Sequence, residues 1–201
     1  MPFFTRKQAL RIVELAQEPY KTIYTLAWST GMRAGEILAL TVSDLDFERR
    51  TIRVNKSADD RTRIIRQPKT RKSVASLPMS AHLNWSYRTT SRSTGNKTRL
   101  GCCFQPARGT RPRARKSILK NSLEPILRKL GIPEKHCGLH AFRHGLATEL
   151  AESCVPITVL QQQVRHADVK TTLRVLPMRF LNPNASRWSV FHFQSKLSSY
   201  L

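Results

Sequence analysis

Apolar positions in the first forty residues recur at helical spacing. Ala9, Ile12, Val13 and Ala16 follow Thr5, a favoured N-cap, and the run stops at Pro19. A second helix is predicted over residues 20–29, with Ile23, Leu26 and Ala27 on its apolar face and a stop at Thr30-Gly31. A third, short helix is predicted over 33–40. After Asp44-Leu45-Asp46-Phe47 the period drops to two. Residues 51–55 alternate like a half-buried strand, and 62–67 and 73–78 are further candidates joined by a turn at 68–72, so one small antiparallel sheet is expected. Residues 89–116 are rich in Ser, Thr, Gly, Pro and Arg and read as long loops with one short buried piece at Cys102-Cys103-Phe104. Helical spacing returns over 117–130 with Gly131 as its stop, over 139–152, and over 156–164 with Pro156 at the favoured first position. Residues 177–201 show no clean period.

Length and composition allow one domain with a proper core: 201 residues, 40% hydrophobic. No apolar run approaches the roughly 20 residues of a membrane span, and the first residues lack a secretory signal pattern. Four cysteines (Cys102, Cys103, Cys137, Cys154) are expected as free thiols. The charge changes the picture more. Lys and Arg number 35 against 13 Asp and Glu, a net +22, and no acidic residue falls between Arg61 and Leu123 while sixteen basic ones do. Such a surface calls for a polyanion, and neutralising phosphates releases condensed ions and gives salt-sensitive affinity for nucleic acid. The basic residues do not share one amphipathic helix, which argues against a membrane surface.

Four short patterns carry candidate chemistry: Thr30-Gly31-Met32-Arg33-Ala34-Gly35-Glu36, Pro68-Lys69-Thr70, His140-Ala141-Phe142-Arg143, and Arg165-His166-Ala167-Asp168 followed by Thr171-Thr172. In this order the chain resembles the catalytic domain of the tyrosine recombinase (phage integrase) family over about residues 3–176. The resemblance implies an α+β, mostly helical catalytic core of the DNA breaking-rejoining kind with a small antiparallel sheet. Strand transfer at phosphorus loads negative charge onto non-bridging oxygens, which fixed cationic donors stabilise, and the planar fork of arginine suits two oxygens at once. The resemblance implies Arg33 and Arg143 as the two clamps, His140 and His166 as hydrogen-bond or proton-transfer groups, and Lys69 as the acid for the departing 5′ oxygen. Glu36, one turn after Arg33, could orient its guanidinium. His140 and Arg143, at i and i+3, project from one helix face with Phe142 turned inward. Lys72 is the second choice for the hairpin lysine. Duplex DNA is the implied partner, with other subunits in a tetrameric synapse and the bacterial cytoplasm, at the nucleoid, as the place. No metal or other cofactor is required.

The chain also departs from the pattern. The family phrase ends Thr-Thr-Leu-Arg-Val-Tyr, and here it reads Thr171-Thr172-Leu173-Arg174-Val175-Leu176. Leu176 has no oxygen to attack phosphorus, so an impaired or inactive enzyme is expected unless Tyr200 or a neighbouring subunit supplies the nucleophile. Residues 177–201 are read as a divergent tail, and the separate N-terminal DNA-binding domain as absent. Val164-Arg165-His166 stands where Leu-Gly-His is usual. Three other readings stay open: a non-catalytic DNA-binding or regulatory remnant of a mobile-element integrase, an RNA-binding basic protein, and a zinc site at His136, His140 and His144, which lacks a clear fourth ligand. Gly31 and Gly35 do not form a phosphate loop, since no Gly-Lys-Ser/Thr follows.

Overall fold

A computed structural model of the chain describes residues 2–67, 74–79, 103–104, 111–133, 137–153 and 155–165. Helix α1 (Arg6–Leu15) opens on the expected cap: the Thr5 amide donates to Gln8 Oε1 at 3.0 Å, and the Gln8 amide to Thr5 Oγ1. Ala9 and Ile12 turn inward. Helix α2 (Tyr20–Thr30) is buried over most of its circumference and ends at Gly31, whose φ of +64° lets the chain turn without the clash a side chain would bring. Helix α3 (Ala34–Ala39) follows at once.

The strands are shorter than the alternation implies. β1 (Leu45–Asp46), β2 (Thr51–Val54) and β5 (Ala75–Pro78) form an antiparallel sheet in the order β1-β2-β5, with Ile52 opposite Leu77 and Val54 opposite Ala75. Leu45, Ile52, Val54 and Leu77 are its buried positions. The expected strand over 62–67 shrinks to β4 (Ile65–Arg66), which pairs with β3 (Ser57–Ala58) in a separate two-stranded ladder. The reason is local. Asp59 Oδ1 accepts from the Thr62 amide at 2.7 Å and its hydroxyl at 2.9 Å, which folds 59–62 into a turn and leaves two residues to pair. The turn expected at 68–72 lies outside the described residues.

Cys103 and Phe104 supply the expected buried piece: the Cys103 amide donates to Leu40 O at 2.8 Å, and Phe104 is buried. Arg115 and Lys116, expected in a loop, instead open a helix, which runs as α4 (Arg115–Ile118), a π-helical turn (Leu119–Leu123) and α5 (Glu124–Lys129). Pro125 lacks the N–H that the turn before it would use, and the widened turn accommodates that loss. Helix α6 (Leu139–Glu152) has the predicted bounds, and α7 (Ile157–Val164) starts one residue late because Pro156 is its cap. Among the described residues no helix is long and apolar enough to cross a membrane.

The core gathers where α6 crosses α1 and α2. Phe142 packs edge-on to Phe4 at 4.7 Å and stacks on Tyr24 at 5.4 Å. Gly145 lets the backbones approach, since a Cβ there would lie 2.1 Å from Phe4 O and 2.9 Å from Trp28 Cζ3. Gly145→Ala is therefore expected to destabilise the chain by about 3 kcal/mol through backbone displacement. Gly131→Ala, at positive φ but in open space, is expected to cost only about 1 kcal/mol. Denaturant midpoints of the two variants, compared side by side, check the difference.

Candidate functional site

Two chain segments far apart in sequence meet at the C-terminal end of α2. The turn at Gly31 delivers Arg33 to the N-cap of α3, where its amide donates to Glu36 Oε2 at 2.7 Å and its Nη1 to Glu36 Oε1 at 3.1 Å. Glu36 thus caps its own helix and holds the guanidinium, as its spacing implied. The end of α7 arrives from the other side. Its last residue, Val164, is followed by Arg165 in the left-handed region (φ 48°, ψ 50°). That conformation costs a residue with a Cβ about 1 kcal/mol, and glycine nothing comparable. Arg165 Nη2 reaches Glu36 Oε2 at 2.5 Å, and Arg165 O accepts from Arg33 Nη2 at 3.2 Å.

Arg143, on α6, ties the segments together. Its Nη1 donates to Gly31 O at 2.5 Å and its Nη2 to Val164 O. It is 4% exposed, whereas the Arg33 side chain is 46% exposed. Of the two arginines expected as clamps, Arg33 faces outward, whereas Arg143 is buried with two donors committed to carbonyls. Sequence spacing carries the reason. Arg143 lies four residues after Leu139 and three before Leu146, inside the apolar stripe of α6, with Phe142 buried beside it.

His140, one turn before Arg143, is exposed at the start of α6 and lines a cleft with Ala34, Gly35, Arg63, Arg113 and Arg115. Across this cleft Arg115 pairs with Asp60 at 2.6 Å. Desolvation, then the charges of Arg115, Arg143 and Arg33, lower the His140 pKa, so the ring is held neutral. His144, one turn on, is lowered by burial and by His140. Burial would raise the Glu36 carboxyl, but the charge and N–H of Arg165, with those of Arg33, outweigh it and hold the group ionised. Arg143 is lowered by burial and by the charges of Arg33 and Arg165.

Of the sequence-predicted residues, Arg33, Glu36 and Arg143 meet in one network, with His140 on the adjoining face. Lys69, Lys72, His166, Leu176 and Tyr200 lie outside the described residues, as does His136 of the zinc alternative. Among the described residues no group of three His, Cys, Asp or Glu is arranged to hold a metal ion. Arg165 is the participant that sequence reasoning passed over: it registered only as a replacement for glycine, and its ion pair depends on a fold-level approach of 129 residues in sequence.

The profile of the Phage integrase family matches residues 2–175. The chain belongs to that family. A similar curated relative is the "Tyrosine recombinase XerC-like" protein of Caldanaerobacter subterraneus subsp. tengcongensis, 29% identical over 177 residues, covering 77% of this chain and 44% of the relative. Another is the ICEBs1 integrase of Bacillus subtilis, 25% identical over 178 residues, covering 84% of this chain and 47% of that protein. The chain therefore spans about half the length of the curated relatives it matches. In three dimensions it resembles the Tn1549 transposon integrase, solved in complex with circular intermediate DNA, with a TM-score of 0.70 at 21% identity over 100% of this chain and 67% of the other. It also resembles the XerA recombinase, with a TM-score of 0.69 at 22% identity over 98% of this chain and 63% of the other. These likenesses give this phage integrase family chain its fold, a tyrosine recombinase catalytic core.

The lowered pKa values set an expected acid response. The folded chain keeps His140 and His144 neutral below their usual 6.5, so the unfolded chain takes up protons first as pH falls. Their contribution is full above 6.5 and is lost as pH drops through the folded values. Glu36 adds a second limb, full above 4.5 and lost as pH falls through its lowered value. Urea denaturation between about pH 3 and pH 8 should show both limbs. A His140→Asn/His144→Asn variant should lack the first, and Glu36→Gln the second.

Proposed function

We propose that this chain is the catalytic domain of a DNA site-specific recombinase, a pocket that grips one backbone phosphate of duplex DNA for strand breakage and rejoining. The observation that carries the reading is the meeting of Arg33, Glu36 and Arg143 in one network beside His140. Arg33 and Arg165 pair with the Glu36 carboxylate and Arg143 adds a third positive charge nearby, and the excess positive charge favours an anion. Arg33, oriented by Glu36, keeps further N–H groups for a non-bridging oxygen. Arg143 sets the pocket's shape and adds its charge from beneath. His140, neutral at physiological pH, donates a hydrogen bond or passes a proton. His166 joins it as a second such group, and Lys69 protonates the departing 5′ oxygen. The similar proteins include integrases, one of them solved in complex with DNA, which supports DNA as the substrate. A basic protein acting on bacterial DNA would work in the cytoplasm at the nucleoid, alongside other recombinase subunits.

Leu176 favours a second reading of the same site, a DNA-binding remnant that grips a phosphate without cutting. One set of assays separates these. Titration of labelled duplex at several salt concentrations should show Arg33→Ala weakening binding about tenfold and reducing the salt slope by about 1, with the exposed Arg49→Ala changing less. On a nicked suicide duplex the remnant reading expects no covalent protein–DNA adduct. An adduct lost in Tyr200→Phe would assign the nucleophile to the tail and restore the catalytic reading. Equal effects of Arg33→Ala and Arg49→Ala would remove the phosphate pocket altogether.

A further inference from the structure

The residue just past the end of α7 lends the proposed phosphate grip its charge, but has been given no role in the geometry of that grip. Arg165 stands in a left-handed backbone conformation that suits glycine, yet it carries the longest of cationic side chains. That side chain is well ordered by its surroundings: it is 13% exposed and directs Nη2 onto Glu36 Oε2 at 2.5 Å. The same carboxylate holds Arg33 through its other oxygen at 3.1 Å. The Arg165 carbonyl, aimed by the left-handed turn, takes the second terminal nitrogen of Arg33 at 3.2 Å. One residue therefore touches Arg33 twice, once through its backbone and once through the acid they share. Its neighbour Val164 gives its own carbonyl to Arg143, so the turn is anchored from below.

We propose that Arg165 is a positioning residue for Arg33: its guanidinium pins the Glu36 carboxylate so that Glu36 Oε1 and Arg165 O together fix both ends of the Arg33 fork. Free of Arg165, the Glu36 carboxylate keeps the Arg33 amide on Oε2 but loses its buried cation, and Arg33, whose side chain is nearly half exposed, gains freedom to swing outward. With Arg165 in place, the carboxylate is held on one oxygen by a buried cation and can offer the other in a fixed direction. The inference deepens the phosphate-pocket reading and rests on it for its consequence in DNA binding, while the positioning itself is a property of the free protein.

The test is nitrogen-15 NMR of the arginine Nε–Hε and Nη–Hη groups in the full chain without DNA, with the Arg33 signals assigned by their loss in Arg33→Lys. In the parent, the two Nη groups of Arg33 are expected at separate shifts, because a fork held at both ends rotates slowly about its Cζ–Nε bond. In Arg165→Gly, which keeps the left-handed carbonyl and removes only the side chain, they are expected to merge into one averaged signal. Arg165→Lys, which restores a cation opposite Glu36, is expected to recover part of the separation. A cooperative thermal transition in Arg165→Gly shows that the fold is intact, and Arg165→Ala is read in the same way if the glycine variant lacks one. Separate Arg33 signals that persist in Arg165→Gly, or averaged signals in the parent, overturn the proposal.

Duplex titration then connects position to function. Arg165→Gly is expected to weaken binding about fivefold, with Arg165→Lys in between, as for coupled neighbours in one network. Unaltered duplex affinity in Arg33→Ala would sink the phosphate-pocket reading and leave the NMR result on Arg165 to be decided by itself. Conversely, a full Arg33→Ala effect with Arg33 signals unaffected by Arg165→Gly would keep the pocket and dismiss Arg165 as its positioning residue.

Discussion

A buried guanidinium between two backbone carbonyls holds this site in shape. Taking a cation out of water costs several kcal/mol unless its N–H groups find acceptors, and Arg143 finds them in Gly31 O and Val164 O. Those carbonyls end α2 and α7, so the requirement of one side chain fixes the distance between two helices. Arg33 follows Gly31 by two residues and Arg165 follows Val164 by one. Satisfying Arg143 therefore brings Arg33, Glu36 and Arg165 within reach of one another, and the outward-facing chemistry inherits its geometry from an inward-facing bond.

Electrostatics inside the knot is unbalanced in one direction. Glu36 is the carboxylate against which Arg33 and Arg165 are paired, and Arg143 is charged in a nearly dry setting. Mutual repulsion is tolerated because each guanidinium has oxygen acceptors, and it is relieved further when an anion enters. Desolvation, aided by the same positive field, keeps His140 neutral at the rim, leaving a ring that can give or take a hydrogen bond. In the proposed function, the net charge of +22 would attract a polyanion and the knot would select the point of contact.

The helices were readable because their apolar periods run unbroken between recognisable ends: Thr5 with Gln8, the turn at Gly31, and Pro156 before Ile157. Arg33, Glu36 and Arg143 could be picked out because short patterns around them recur in a known order, and the network joins them. The division of labour between the arginines was less visible, although the place of Arg143 within the stripe of Leu139, Phe142 and Leu146 already points inward. The two-residue pairing of β3 with β4 escaped the alternation because an Asp59 side chain, rather than hydrophobic burial, sets it. Arg165 was hidden for a different cause: nothing within a few residues of it signals a partner, and its value depends on where α3 lies in space.

The most direct measurement is a crystal structure of this chain bound to duplex DNA. The account requires a single backbone phosphate within hydrogen-bonding distance of both Arg33 and His140, with Arg143 still joining Gly31 to Val164 beneath it. DNA seated on another basic face, with Arg33 and His140 turned to solvent, would contradict it.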